Sequence, residues 1–253
     1  MMTDKTNARL AARLTVCLEL QQPPVAIGFS RSIPSGMVSH TGRVAAGCRF
    51  WEDATGAAFA TSSEDHNLCA IGVYTHHLQE SPAQQTDLLA ALKIFGELGY
   101  VTPQDLASIP VLAVQQEYVL YSPLSSAPFA PEVVLLFVKA SQSLILSEAA
   151  HQVDKQNAPA MGRPACAVVP QVINSGRAAM SLGCCGARAY LDVLAEDVAI
   201  FALPGAKLEA YVERIEVLAK ANEVLSSFHA LRRRDVESGK TPTVEESLLA
   251  MAE

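Results

Sequence analysis

The stretch PEVVLLFV, residues 131–138, decides the fold class that we predict from the sequence. Positions 133–138 are all apolar, which is typical of a central strand whose two faces are both buried. A similar acidic and then apolar pattern, EDVAIFALP, recurs at residues 196–204, and helix-like segments follow both stretches. This alternation predicts an α/β or α+β fold, with one mixed sheet covered by helices.

Two similar segments lie upstream of these strands, and each contains two cysteines. The first is GCRFWEDATGAAFATSSEDHNLC, residues 47–69, and the second is ACAVVPQVINSGRAAMSLGC, residues 165–184. Both begin with a cysteine, continue through a glycine and a small apolar run, and end at a second cysteine. This repetition predicts a single domain of two pseudo-symmetric halves, residues 23–155 and 156–237.

Three further segments complete the predicted organisation. An N-terminal helix lies within residues 1–22 and ends before the double proline Pro23-Pro24. A helical insertion near residues 80–108 has no counterpart in the second half, and we expect Thr86 to begin its first helix. Residues 238–253 form a polar C-terminal tail.

Composition excludes several classes of function. The net charge of the 253 residues is -7, and the basic cluster Arg232 to Arg234 lies on a polar helix, so we expect no nucleic-acid partner. No apolar run reaches the roughly 20 residues of a membrane helix, and residues 1–10 lack the apolar region of a signal peptide. We therefore predict a cytoplasmic protein that binds no membrane. In that reducing compartment its six cysteines are free, metal-bound or redox-active rather than structural disulfides.

The repeated cysteines predict one site between the halves. If the halves pack about a pseudo-twofold axis, each brings two thiolates to the centre. Four thiolates suit an iron–sulfur cluster or a zinc ion. The predicted ligands are Cys48, Cys69, Cys166 and Cys184. Cys17 lies on the apolar face of the first helix and is interpreted as a core residue.

Residues beside the first pair have candidate roles. Trp51 could shield a cofactor from water while the guanidinium of Arg49 balances thiolate charge, although a buried Phe-Trp pair explains the same letters. His66 is close to Cys69, as a proton-transfer group or extra ligand would be, although a solvated turn is the alternative. The adjacent His76 and His77 lack ligand spacing and are interpreted as structural.

The second pair has a glycine-rich setting. Gly186 allows backbone N–H groups to approach a thiolate, which tunes a reduction potential, and Arg188 is a candidate catalytic group. Adjacent cysteines rarely form a disulfide with each other because of strain. Cys185 is therefore a redox partner, an alternative ligand or a packing residue, separate from Cys184.

Several motifs together resemble a known family, the domain of unknown function 169 family, over roughly residues 23–215. The motifs are PVAIGF (24–29), CRFWEDATG (48–56), DHNLCAIG (65–72), PEVVLLFVKASQSLIL (131–146), ACAVV (165–169), SLGCCGAR (181–188) and EDVAIFALPGAKLE (196–209). The family motif C-x-G-x-R falls on Cys184, Gly186 and Arg188, and Cys48, Cys69 and Cys166 match its other cysteines. The resemblance implies that these four cysteines belong together, and it supplies no reaction.

Three functions fit these patterns. The first is a protein with a [4Fe–4S] cluster on the four cysteines, for electron transfer or for redox or sulfur chemistry on a small molecule, with a redox partner protein or substrate. As an enzyme it would be a cluster-dependent oxidoreductase or a sulfur transferase. The second is a metal-free thiol enzyme that uses Cys184 or Cys185. The third is a haem or small-ligand binding module, and a structural zinc site is a further alternative. The apolar stripe of the helix at residues 206–234 also predicts a possible homodimer.

Overall fold

Seven strands form one mixed sheet in the computed structural model, which describes residues 2–251 except the side chains of residues 2–4, 103 and 106. The strands are β1 (Val25–Ser30), β2 (Phe59–Thr61), β3 (Tyr118–Pro123), β4 (Val133–Lys139), β5 (Ala160–Met161), β6 (Ala179–Ser181) and β7 (Val198–Pro204). Their order across the sheet is β2-β3-β1-β4-β7-β6-β5. Neighbours are antiparallel except β5 and β6, which are parallel. The predicted mixed sheet of an α/β protein is confirmed.

Helices cover both faces of this sheet. They are α1 (Met2–Leu18), α2 (Arg49–Asp53), α3 (Ala70–Thr75), α4 (Pro82–Glu97), α5 (Pro103–Ser108), α6 (Ala140–Asp154), α7 (Val168–Ser175), α8 (Cys185–Tyr190), α9 (Leu208–Glu237) and α10 (Val244–Leu249). Helices α2, α3, α7 and α8 pack on one face, which we call the cysteine face. Helices α1, α6 and α9 pack on the opposite face, which we call the α9 face.

Strand β4 lies at the centre of the sheet, as its sequence predicts. Val133, Leu135 and Phe137 belong to the core of the cysteine face. The alternate residues Val134, Leu136 and Val138 belong to the core of the α9 face. A strand buried on both sides must be apolar at every position, which explains why its pattern is continuous rather than alternating.

The first helix of the predicted insertion starts earlier than expected. Its N-cap is Ser81, whose hydroxyl accepts a hydrogen bond from the backbone N–H of Gln84, and Pro82 occupies the first turn. The side chain of Gln84 accepts in return from the N–H of Ser81, which completes a capping box. Thr86 lies inside the helix and donates its hydroxyl to the carbonyl of Pro82. The prediction of Thr86 as the start was wrong because a Ser-Pro start with its capping partner is the stronger signal.

The long last helix, α9, is packed along only part of its length. Its buried residues are Leu208, Tyr211, Val212, Ile215 and Phe228. Leu225, which belongs to the predicted apolar stripe, is 52% exposed, and Val224 beside it is 56% exposed. Apart from Phe228, the buried residues of α9 lie in its first two turns, and the exposed apolar residues lie beyond them. Among residues 2–251 no helix is both long and apolar enough to cross a bilayer.

Candidate functional site

The four predicted ligand cysteines all lie where a helix begins on the cysteine face. Cys48 precedes α2, Cys69 precedes α3 and Cys184 precedes α8. Cys166 lies in the short 3-10 turn that leads into α7. Each sulfur is therefore carried by a segment whose first backbone N–H groups have no partner within the helix.

Small residues allow these tight helix starts. Gly183 has a φ of +87°, a conformation that side chains with a Cβ rarely adopt, and it turns the chain from β6 into α8. A Cβ on Gly72 would lie 3.0 Å from the sulfur of Cys69. A Cβ on Gly47 would lie 3.6 Å from the same sulfur. Glycine at these positions lets the backbone approach the thiol.

The four thiols lie at one apolar core on the cysteine face: three cysteines belong to that core and Cys184 packs against it. None of the six cysteines is in a disulfide; Cys48, Cys69 and Cys166 are buried and Cys184 is half-buried. Burial raises the pKa of the Cys48 thiol, and negative charge on Cys69 or Cys184 raises it further. Burial also raises the pKa of Cys166 well above its usual value, with added contributions from the other three cysteines. The sulfurs are thus close enough for each to sense charge on the others.

Backbone hydrogen-bond donors at the site cysteines favour the charged form of the sulfur. The backbone N–H of Ala187 donates to the Cys184 sulfur at 3.5 Å. Burial is the main cause of the raised pKa of Cys69, and the backbone N–H groups of Gly47 and Gly72 lower that pKa. Donors of this kind stabilise negative charge on sulfur, so the site accommodates thiolates once a cation or cluster replaces their protons.

Several buried polar atoms on the cysteine face have no partner. Within the part of the chain that the structure describes, no hydrogen-bond partner is found for the Trp51 indole N–H, Nδ1 of His66, either ring nitrogen of His76 or the Tyr121 hydroxyl. Trp51 and Tyr121 belong to the same core as the cysteines. The ring centroids of Phe50 and His66 are 4.8 Å apart, and those of His66 and His76 are 6.0 Å apart. Buried polar groups in native proteins almost always have a partner, so these atoms are exceptions.

Both buried histidines are neutral. Desolvation by burial lowers the pKa of His66 well below its usual value, and the neighbouring His76 and His40 lower it further. Burial lowers the pKa of His76 to about 4. A neutral imidazole carries one N–H donor and one acceptor nitrogen, so each ring can donate to a negative group without carrying a full charge.

The predicted arginines are bound to protein groups. The guanidinium of Arg49 lies 3.3 Å from carboxylate oxygens of Glu52 and Asp53 and 3.4 Å from Asp192. Because Asp192 follows α8, Arg49 connects the regions of the two cysteine pairs. The guanidinium of Arg188 donates to backbone carbonyls on both sides of α8, those of Leu182, Leu194, Ala195 and Val198. Arg188 therefore holds the loop that carries Cys184.

The remaining predicted residues occupy different surroundings. Trp51 is completely buried, and its main chain N–H donates to the carbonyl of Cys48 at 3.0 Å. Gly186 lies in the first turn of α8, where an added Cβ would meet only the ring of Tyr190 at 3.7 Å. Cys185 is exposed, and Cys17 packs on the α9 face as predicted for a core residue.

Two further observations concern bound groups. Among the described residues, no set of three or more His, Cys, Asp or Glu side chains is arranged to hold a metal ion. A surface cavity of about 590 Å³ lies between α1 and α9, and another of about 390 Å³ lies beside α2. Neither of these two cavities is lined by a cysteine.

Comparison with known protein families shows to which of them this chain is related. Residues 13–214 match the family model DUF169, described as uncharacterised ArCR. The match covers most of the chain and all four clustered cysteines. The chain belongs to this family. The resemblance predicted from the cysteine motifs is therefore confirmed, and the family description attaches no reaction to them.

One relative in the family comparison comes from an archaeon. The uncharacterized protein MJ0308 of Methanocaldococcus jannaschii is 28% identical to this chain over 161 residues, which cover 60% of this chain and 67% of the relative. No solved structure matches the chain significantly. This relative, like the family description, names no ligand or substrate.

Sequence reasoning missed two residues of the site. His76 has no ligand spacing, yet it continues a buried stripe along α3 that includes Cys69, Gly72 and Val73, at helical intervals. That stripe was the available signal. Tyr121 lies on β3, where successive side chains point to opposite faces of the sheet. A tyrosine in an apolar strand gives no indication of where its hydroxyl lies.

Proposed function

We propose that Cys48, Cys69, Cys166 and Cys184 hold a [4Fe–4S] cluster. The observation that carries this proposal is the grouping of four unpaired thiols, three of them buried, within range of one another's charge. Burial raises the pKa values of Cys48, Cys69 and Cys166, so these thiols keep their protons until a metal centre displaces them. Four thiolates are the usual ligand set of such a cluster.

When bound, the cluster would supply one-electron transfer. Cys184 is the most exposed of the four cysteines, so the edge of the site beside α8 is where a small-molecule substrate or a redox partner protein would approach. Arg188 fixes this edge through its bonds to four carbonyls. We propose that Arg188 positions the Cys184 loop, and that burial of Trp51 excludes water from the opposite side.

We also propose that the site joins two pseudo-symmetric halves. The strand order supports halves that divide between β3 and β4, upstream of the predicted boundary at residue 155. With that division β2-β3-β1 on one side corresponds to β6-β7-β4 on the other, and β1 and β4 are antiparallel at the centre. Local order supports it as well. Cys48 is followed by a helix, an edge-side strand and then Cys69 before a short helix, and Cys166 is followed by the same succession to Cys184.

Anaerobic purification with iron and sulfide assays tests the proposal. We expect a brown protein with a broad absorption band near about 400 nm and about four irons per chain. A sharp Soret band would instead indicate haem, and a colourless protein without iron would contradict the cluster. Cys184→Ser should abolish iron binding, whereas Cys185→Ser should retain it. The reverse result would show that the ligand was assigned to the wrong cysteine.

A thiol function without metal is a second candidate. Two observations favour it at the α8 edge: the Cys184 sulfur accepts the backbone N–H of Ala187, and the exposed Cys185 thiol is its neighbour in the chain. Labelling of the iron-free protein with iodoacetamide distinguishes the candidates. A thiol enzyme should be labelled fastest at Cys184, and Cys184→Ser should lose this fast labelling while the exposed Cys185 still reacts and the buried cysteines stay unlabelled.

We propose that the exposed part of α9 pairs with a second copy of the chain. Val217, Val224 and Leu225 are each more than half exposed, which leaves an apolar strip outside the fold. Light scattering after size exclusion should give about twice the 27.0 kDa of one chain. A mass of one chain at micromolar concentration would contradict the dimer.

A further inference from the structure

Tyr121 packs in the same core as the site cysteines, and its hydroxyl has no partner among the described residues. Tyr121 is completely buried on β3. Burial raises the pKa of Tyr121 well above its usual value, and negative charge on Cys69, Cys166 and Cys48 raises it further. The phenol therefore senses three of the four sulfurs and stays protonated as an O–H donor.

His66 presents a second donor to the same site. A Cβ on Gly47 would lie 2.6 Å from Nδ1 of His66 and 3.6 Å from the Cys69 sulfur. A Cβ on Gly72 would lie 3.3 Å from this nitrogen and 3.0 Å from the sulfur. The nitrogen and the sulfur therefore border the same two glycines.

Thr61 determines which nitrogen of His66 carries the proton. Its hydroxyl lies 3.2 Å from Nε2 of His66, and both side chains are fully buried. If the hydroxyl donates to Nε2, the neutral ring must carry its hydrogen on Nδ1. The unpartnered Nδ1 is then an N–H donor beside the Cys69 sulfur.

Leaving a buried donor without a partner costs about 1–3 kcal/mol, so two such donors at one site require an explanation. A group rich in sulfur, held by the four cysteines, would provide acceptors for both. We infer that Tyr121 and the Thr61–His66 pair donate hydrogen bonds to the sulfur atoms of the cluster and favour its reduced state. This inference rests on the proposed function. Donors favour reduction because reduction adds negative charge to the sulfurs that accept them.

Redox titration of the full-length protein tests the inference, with Tyr121→Phe and Thr61→Val as variants. Each variant removes a hydroxyl with little change in shape. We expect each variant to keep four irons. The equilibrium constant for reduction of the cluster should fall by up to about tenfold, which lowers the reduction potential by about 59 mV for a one-electron couple. Tyr118→Phe is the matched control, because Tyr118 lies on the same strand but packs on the opposite face. The reduction potential of this variant should equal that of the wild type.

The stability of the iron-free protein gives a second readout. Because the Tyr121 hydroxyl has no protein partner, Tyr121→Phe should unfold at the same urea concentration as the wild type, or at a higher one. A clear loss of stability would show that the hydroxyl has another role, and would overturn the inference. A cluster with an unchanged potential in both variants would overturn it as well. Failure of the wild type to bind iron would instead overturn the proposed function.

Discussion

Two buried polar groups, one on each face of the sheet, have opposite surroundings. On the α9 face, Asp154 has a fully buried carboxylate that accepts from the Lys207 ammonium at 2.9 Å, the backbone N–H of Ala178 at 2.7 Å and the hydroxyl of Tyr211. On the cysteine face, the Tyr121 hydroxyl has no such partner among the described residues. The carboxylate is satisfied within the chain, whereas the hydroxyl is a donor that an added group would satisfy.

This difference separates stability from function. A buried carboxylate with three partners connects α6, α9 and the strand β6, and it requires nothing from outside the chain. A buried thiol packs as a small apolar group, and a buried donor without a partner is desolvated without compensation, so neither polar atom is needed for stability. We therefore expect removal of the Asp154 carboxylate to lower the free energy of unfolding, and removal of polar atoms at the cysteine site to act mainly on what the protein binds.

The largest expected effect is the loss of the bound group from a cysteine-face variant. Cys166→Ser removes a completely buried ligand, and we expect iron and sulfide to fall to background after anaerobic purification. Cys17→Ser is the matched control on the α9 face and should keep its iron. Equal iron contents in the two variants would remove the distinction between the faces.

Removing the carboxylate of Asp154 should produce the largest loss of stability. Asp154→Ala leaves the Tyr211 hydroxyl and the Ala178 N–H unpaired and Lys207 without its partner, at a cost of about 3 kcal/mol in the free energy of unfolding. Urea denaturation measures this loss. The control is Asp197→Asn, which breaks the exposed pair with Lys139 and should cost less than about 0.5 kcal/mol.

The sequence predicted those features that local pattern determines. The continuous apolar run of β4 placed it at the centre of the sheet, because only a strand buried on both faces lacks alternation. Four cysteines in two repeated segments predicted one site. All four residues lie at the core of the same face of the sheet, and their joint role stays a prediction. The start of α4 was missed by four residues because Thr86 was preferred to Ser81, although Ser81 has both the proline and the capping glutamine after it.

Other features of the site depend on contacts that no local pattern specifies. Arg188 was predicted to be catalytic, but whether a guanidinium faces a substrate or four carbonyls depends on how the loops around α8 close. His76 was interpreted as structural, and its burial without a partner follows from the packing of α3 against the sheet. Long-range contacts of this kind are visible only in the folded chain.

Acidification should destabilise the iron-free protein through the cysteine face. Burial lowers the pKa of His76 to about 4 in the folded state, while in the unfolded chain it is about 6.5. The unfolded chain therefore binds more protons between these values, and the free energy of unfolding falls as the pH falls, by up to about 3 kcal/mol at pH 4.

Urea denaturation at several pH values checks this expectation. His76→Leu should weaken the dependence between about pH 6.5 and pH 4, since it removes one of the two buried histidines that gain a proton on unfolding. His151→Gln, which changes an exposed histidine on α6, should leave the dependence as in the wild type. An unchanged slope in His76→Leu would mean that other groups cause the acid sensitivity.

The sharpest comparison of the two faces uses one substitution on each. Tyr211→Phe removes a hydroxyl that donates to the buried Asp154 carboxylate, and it should cost about 2 kcal/mol. Tyr121→Phe removes an equally buried hydroxyl that has no partner, so the iron-free protein should lose nothing or gain stability. The chemical change is the same, and only the surroundings of the oxygen differ. Urea denaturation of the two iron-free variants should therefore give changes that differ by about 2 kcal/mol, and equal losses would show that the Tyr121 hydroxyl is satisfied within the chain.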